Sequence, residues 1–220
     1  MKNLLRLTDW TRDDVAAVFA LADAYRKGRG PRTEGAAVMF LPSTSLRTRV
    51  TFERGADLMG LQPILFPPET LDKPESLVDV AGYLANWAQL IVVRHPDIGL
   101  LERLAAGRRM PVINAMTSVN HPCEVLSDAY AFKQMRPDLR RLSFLFVGGD
   151  GNIVRAWQEL PGVLDLKLTQ CCPADLATPG LDWTDDLAVA ITKADVVLTD
   201  GVGPNKRALA PYRVTRKLMD

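Results

Sequence analysis

The sequence predicts an α/β fold made of two parallel-sheet subdomains, and three observations carry that prediction. Short apolar runs of strand length alternate with helix-patterned stretches along the chain. The alternation pauses once, at Arg136-Pro137, and restarts at residue 142. Polar clusters follow the ends of several apolar runs, which is where ligands gather in open α/β sheets.

Thr11 followed by Asp14 is a capping-box start, and Val15, Val18, Phe19, Leu21 and Ala22 give the first helix an apolar face up to Tyr25. Lys27-Gly28-Arg29-Gly30-Pro31 ends it. Residues 36–41 form an apolar strand, and 49–58 a helix. Residues 63–66 are a short strand, 67–74 a polar loop and 77–87 a helix. A strand at 90–93, a helix at 98–106 and a strand at 112–115 continue the pattern, and 124–135 is a long helix closed by Arg136-Pro137. A boundary near 136 gives subdomains 1–136 and 137–220. The second has strands at 142–147, 164–168 and 196–198, with helices at 153–160 and 185–191.

The composition is that of a globular chain. The 220 residues carry a formal net charge of +1, which gives no footprint for nucleic acid or an anionic membrane. No apolar stretch reaches bilayer length, and the N-terminus lacks a signal-peptide core. Three cysteines, two of them adjacent, fit neither a disulfide framework nor a zinc spacing. A cytoplasmic protein without metal or cofactor is the expectation.

Five clusters follow apolar runs: Ser45-Leu46-Arg47-Thr48-Arg49, Arg94-His95-Pro96, Asn120-His121-Pro122-Cys123-Glu124, Gly148-Gly149-Asp150-Gly151-Asn152 and Thr199-Asp200-Gly201. Each has an ordinary structural reading as a solvated helix start, a turn or a cap. The glycine cluster does not complete G-x-G-x-x-G. The first cluster combines hydroxyls, an arginine fork and the free N–H groups of a helix start, which together suit a phosphate.

Taken in order, the clusters resemble those of the aspartate/ornithine carbamoyltransferase family over nearly the whole chain. Ser45 to Glu53 is similar to its carbamoyl-phosphate motif and His121-Pro122-Cys123-Glu124 to its His-Pro-Cys-Gln motif. Val93-Arg94-His95-Pro96 resembles the segment whose arginine touches the carbamoyl group. Lys73-Pro74-Glu75-Ser76 resembles the loop that reaches into a neighbouring subunit. The resemblance implies two parallel-sheet α/β subdomains as in the carbamoyltransferases. It also implies transfer of a carbamoyl group from carbamoyl phosphate to a small amine or amino acid, in a homotrimer with a shared active site. Arg47, Thr48, Arg94 and His121 would be catalytic. Ser45, Leu46, Glu124 and Lys73 would join them around carbamoyl phosphate, and Asn152, Arg155 and Asp200 would meet the amine.

The sequence departs from the family pattern in four places. Leu46 replaces a threonine, as in the branch acting on N-acylated ornithines. Glu124 replaces a glutamine, exchanging a donor for a carboxylate. Gly201-Val202-Gly203-Pro204-Asn205-Lys206-Arg207 replaces the substrate-reading loop, and the family's C-terminal strand and helices are not matched after Lys217-Leu218-Met219-Asp220. These departures point to a C-terminally shortened or divergent member, with a catalytically silent structural or regulatory subunit as the alternative.

Overall fold

The computed structural model describes residues 2–219. The chain divides into two compact units, Met1–Cys123 and Glu124–Asp220. The sequence places its boundary at 136, at the far end of a helix whose first turn is where the compact units part.

In the first unit, helix α1 (Arg12–Arg26) starts on the expected capping box. Thr11 Oγ1 accepts from the Asp14 N–H, and the Asp14 carboxylate accepts from the Thr11 N–H at 2.8 Å. Four parallel strands follow: β1 (Gly35–Phe40), β2 (Leu61–Phe66), β3 (Leu90–Arg94) and β4 (Val112–Met116), in sheet order β2-β1-β3-β4. The crossovers carry α2 (Leu46–Met59), α3 (Leu77–Leu84) and α4 (Ile98–Ala106). Both faces of the sheet are covered, which is why β1 reads as a continuous apolar run. Val38, Phe40, Ile91 and Val93 pack in one cluster with Ala81, Leu101 and Leu104. Ala37, Met39 and Val92 pack in another with Ala56 and Phe52. Beside β4, Leu4 makes a parallel bridge to Ile113.

In the first unit two helix bounds differ by three residues from the sequence reading. Helix α2 begins at Leu46 rather than 49, because the turn is made earlier, where Ser45 N–H donates to Pro42 O at 3.0 Å. The arginines and Thr48 of the first cluster therefore lie in its first turn. Helix α3 stops at Leu84, not 87. The Asn86 amide donates to Gly82 O and Tyr83 O, taking carbonyls at the helix end, and Trp87 is left exposed. Gly60 closes α2 with φ of 84°, and a Cβ there would sit 2.2 Å from Thr33 O.

Helix α5 (Pro122–Met135) leads into the second sheet, formed by β5 (Ser143–Val147), β6 (Lys167–Cys171), β7 (Trp183–Thr184) and β8 (Val196–Thr199). All pairings are parallel, in the order β7-β6-β5-β8. Helix α6 (Asn152–Leu164) joins β5 to β6, and the five-residue α7 (Leu187–Ile191) precedes β8. Fully buried Trp157 of α6 lies 5.4 Å from the Phe144 ring and 6.4 Å from that of Phe132. Leu145, Val147, Cys171, Leu187 and Ile191 form another cluster.

The strand expected at 164–168 lies instead at Lys167–Cys171, and the helix expected to end at 160 continues to Leu164. Pro161 removes one helix hydrogen bond, yet the buried Trp157 and Leu160 hold the helix to the sheet. The helix ends at Asp165, in left-handed conformation with its N–H on Pro161 O. The two-residue β7 is too short to show any periodicity.

Candidate active site

Beyond the carboxyl ends of the first sheet, the order of the strands decides where a ligand can sit. The chain runs from β1 to β2 on one side, then crosses to β3 on the other. The ends of β1 and β3 therefore flank a topological switch point, the ligand crevice of open α/β sheets. Two of the sequence clusters fall there. Ser45 precedes α2 with φ −83° and ψ 66°, and its hydroxyl caps no helix N–H. Leu46, Arg47 and Thr48 then form a first turn; the Leu46 N–H donates back to Thr44 O at 3.0 Å, and those of Arg47 and Thr48 have no partner within the helix. Arg94, at the end of β3, donates from Nη1 to Thr48 Oγ1 at 2.8 Å, tying the two strand ends together.

The two arginines of this first turn are not equivalent. Arg49 Nε meets Glu53 Oε1 on the same helix at 3.3 Å. Arg47 is exposed and makes no ion pair among the described residues. Leu46 is 74% exposed, so its side chain plays no part in the core, and its main-chain N–H donates to Thr44 O at 3.0 Å. The register between β3 and β4 shifts between Val93 and Arg94, a bulge-like irregularity that re-aims the arginine at the strand end.

The turn after β4 delivers half-buried His121, followed at once by Pro122, the first residue of α5. Glu124 is exposed in the first turn of that helix, where a carboxylate is favoured by the helix dipole. The thiol of Cys123 donates to Asn114 O at 3.3 Å, and burial pushes its pKa up to about 12, so it is no nucleophile.

Lys73 is placed elsewhere in this unit. It follows the 3-10 turn Pro68–Asp72 and lines a cleft of about 460 Å³ with His95, Asp97 and Arg103. His95 is held there by two contacts. Its Nδ1 accepts from the Asp97 N–H, which leaves Nε2 to donate to Asp72 Oδ1 at 3.1 Å.

Asn152, Arg155 and Asp200 belong to the second sheet, at its own switch point between β5 and β8. Gly148 to Gly151 turn from β5 into α6 and line a small cavity of about 50 Å³ with Asp200, Gly201 and Val202. Gly148 has φ of 154°, and a Cβ there would sit 3.1 Å from the Phe146 ring. Asn152 opens α6. Arg155 is held in a two-pronged pair by Asp150, Nε to Oδ1 at 2.8 Å and Nη2 to Oδ2. That guanidinium holds the Asp150 carboxyl below its usual range. Asp200 is exposed after β8 and makes no ion pair among the described residues.

Of the polar groups that fix both turns, the sequence clusters include Asn120 and Asp150 but not Asn114, Thr117, Gln170 or Thr178. Asn114, Thr117 and Asn120 are fully buried behind His121. Behind the glycine turn, fully buried Gln170 donates to Gly148 O at 2.8 Å and accepts from the Thr178 N–H at 2.7 Å, while Thr178 Oγ1 donates to Asp150. The available signal was polar side chains within or just after apolar strands, where an unpaired amide would be costly. Among the described residues no cluster suits a metal ion, and no helix is long and apolar enough to cross a membrane.

The first turn of α2 bonded to Arg94, with His121 after the next strand, gathers polar groups at the carboxyl end of a parallel α/β sheet, the place where α/β enzymes hold their ligands. The chain belongs to the aspartate/ornithine carbamoyltransferase family: residues 2–134 match its carbamoyl-P binding domain. Ornithine carbamoyltransferase of Chromobacterium violaceum is 27% identical over 246 residues, an alignment covering 100% of this chain and 80% of that protein. The Geobacter metallireducens ornithine carbamoyltransferase is 28% identical, over 90% of this chain and 73% of its own length. Among solved structures, the ornithine carbamoyltransferase of Burkholderia thailandensis superposes with a TM-score of 0.86 at 26% identity, covering 100% of this chain and 81% of that one. The enzyme from Thermus thermophilus, 24% identical with a TM-score of 0.88 over 100% and 81% of the two chains, shares the fold.

Proposed function

We propose that the protein transfers the carbamoyl group of carbamoyl phosphate to the amine of a small amino acid, with ornithine the first acceptor to test. The observation that carries the reading is the Arg94–Thr48 bond across the β1/β3 switch point, beside the open first turn of α2. Relatives named for ornithine support the acceptor, and so does the exposed carboxylate of Asp200, which suits a cationic substrate.

In this reading Ser45, Arg47, Thr48 and the open N–H groups of the turn hold the dianionic phosphate, and the Leu46 N–H joins them by giving up its bond to Thr44 O. The amine nitrogen attacks the carbonyl carbon and forms the new C–N bond. The carbonyl oxygen becomes an oxyanion, to which Arg94 and His121 donate. The C–O bond to phosphate then breaks, the nitrogen gives its proton to the departing phosphate, and a ureido product and inorganic phosphate leave.

Glu124 takes the place of a donor, and its carboxylate meets the reacting groups by pairing with a cation. Asn152 and Asp200 read the acceptor. Arg155 reads a substrate carboxylate only by exchanging it for Asp150. Lys73 adds positive charge to the site of a neighbouring subunit, in a cytoplasmic homotrimer.

Calorimetry of carbamoyl phosphate binding, wild type against Arg47→Ala with inorganic phosphate as competitor, tests the phosphate half. Competitive binding that Arg47→Ala weakens by about 1.5–3 kcal/mol is expected. Absence of binding by folded wild-type protein rules the reading out. A panel of ornithine, N-acylated ornithine and aspartate, scored for ureido product, tests the acceptor half.

A further inference from the structure

The turn that delivers His121 is tied into a buried polar knot anchored on the N-terminal segment. Asn114, Thr117 and Asn120 are each 0% exposed. The Asn120 side chain bonds in both directions. Its amide nitrogen donates to Leu5 O at 3.1 Å, and its Oδ1 accepts from Asn114 Nδ2 at 2.7 Å. Asn114 Nδ2 also donates to Leu5 O, at 3.0 Å, so that one carbonyl receives two buried amides. Thr117 closes the turn. Its N–H donates to Asn120 O at 2.9 Å, and its Oγ1 accepts from the N–H groups of Val119 and Asn120, both at 3.1 Å.

The segment bearing that carbonyl is itself pinned to β4. Leu4 N–H donates to Val112 O at 2.9 Å, Asn114 N–H donates to Leu4 O at 2.8 Å, and Asn3 Oδ1 accepts from the Val112 N–H at 2.9 Å. His121 follows this knot directly, and Pro122 follows His121. A residue before proline is confined to extended backbone, so His121 is fixed from both sides. Breaking the knot would strand buried amides without partners, and the turn would move to rescue them.

We infer that Asn120 is a positioning residue, which together with Asn114, Thr117 and the Leu5 carbonyl fixes the backbone from which His121 reaches the reacting carbonyl. The inference rests on the proposed role of His121. It adds that the first residues of the chain, remote in sequence, are part of what places it.

The test exploits the presence of only two histidines in the chain, His95 and His121. Their imidazole C2–H signals are followed by proton NMR and assigned with His95→Gln. Variants Asn120→Leu and Thr117→Val are compared with wild type and with Thr117→Ser, which keeps the hydroxyl. In Asn120→Leu and Thr117→Val the His121 signal is expected to move while that of His95 stays. In the same variants kcat should fall by about a hundredfold, the scale of a misplaced reacting group, with inorganic phosphate affinity unchanged. Thr117→Ser should restore both readouts.

If Asn120→Leu does not fold, Thr117→Val decides. An unmoved His121 signal or unchanged kcat in a folded variant overturns the inference, and so does phosphate affinity falling in step with kcat. Wild-type protein that turns over no acceptor removes the carbamoyl-transfer reading instead, and the NMR comparison still judges the knot.

Discussion

The two switch points occupy the same place in two similar sheets and are chemically opposite. At the first, the donors are left open: Ser45 caps nothing, Arg47 has no ion pair among the described residues, and Arg94 spends one nitrogen on Thr48. At the second, the side-chain donors Arg155, Gln170 and Thr178 are consumed. Arg155 is clasped by Asp150, Gly148 O is taken by Gln170, and Thr178 bonds the same Asp150 carboxylate. Besides the first-turn N–H groups of α6, the side chain that remains open there is an acid, Asp200. A site for a dianion needs unsatisfied donors, and a site for a cationic amine needs an unsatisfied acceptor. The difference teaches that a glycine-rich turn at a switch point is not by itself an anion site, because what its neighbours have already bonded decides what it can hold.

The largest expected effect breaks the second region while sparing the first. Trp157→Ala removes the fully buried ring that packs α6 against Phe144 and should cost about 3–5 kcal/mol of stability in urea unfolding. Where the variant stays folded, the KM for the acceptor should rise while carbamoyl phosphate affinity holds. Equal loss of both would abolish the division of labour between the two regions.

Next come Arg94→Ala and His121→Ala, each expected to raise the barrier by about 2.7–4 kcal/mol, read as a fall in kcat. Activity unchanged in both would remove the proposed oxyanion donors. Smaller still is the contrast within one helix turn. Arg47→Ala should weaken carbamoyl phosphate binding by about 1.5–3 kcal/mol in calorimetry. Arg49→Ala, whose guanidinium is engaged with Glu53, should change it little. Equal effects would mean that the first region reads phosphate by summed charge rather than by an open fork.

Most of the fold was legible in the sequence because parallel strands buried on both faces read as unbroken apolar runs, as at 36–41 and 90–93. The helix at 98–106 was legible to the residue because Asp97 caps it and its apolar positions repeat at helical spacing. What failed was local: the helix expected at 153–160 runs on through Pro161 to Leu164, and the strand expected at 164–168 lies at Lys167–Cys171. Tertiary packing of Trp157 and Leu160 overrode the proline. At the candidate site, Ser45 to Thr48 and Arg94 were legible as polar residues after strand ends, and the structure adds the bond from Arg94 to Thr48. The Asp150–Arg155 clasp and the Asn114–Asn120 knot were not legible, since both depend on which residues meet after folding.

The smallest expected effect sharpens the second region through pH. The Arg155 guanidinium lowers the Asp150 carboxyl below its ordinary value of 3.8 in the folded protein. In that range the unfolded chain binds the proton more readily than the folded one, so stability rises with pH. The pair's contribution is therefore complete above the unfolded carboxyl's pKa and is lost as pH falls through the lower folded value. Asp150→Asn keeps the shape of the side chain but not the charge. Between about pH 6 and about pH 3 it should lose less stability than wild type, measured as the shift in urea midpoint. Because the Arg155 side chain is 41% exposed, solvent screens the pair and the difference should be modest. The same substitution releases Arg155, so a substrate carboxylate then has a partner at this turn. Acceptors that carry one should show a lower KM in Asp150→Asn than in wild type, while carbamoyl phosphate binding stays the same. An unchanged KM for every carboxylate-bearing acceptor would leave Arg155 with a purely structural role, and the acceptor would be read by Asn152 and Asp200 alone.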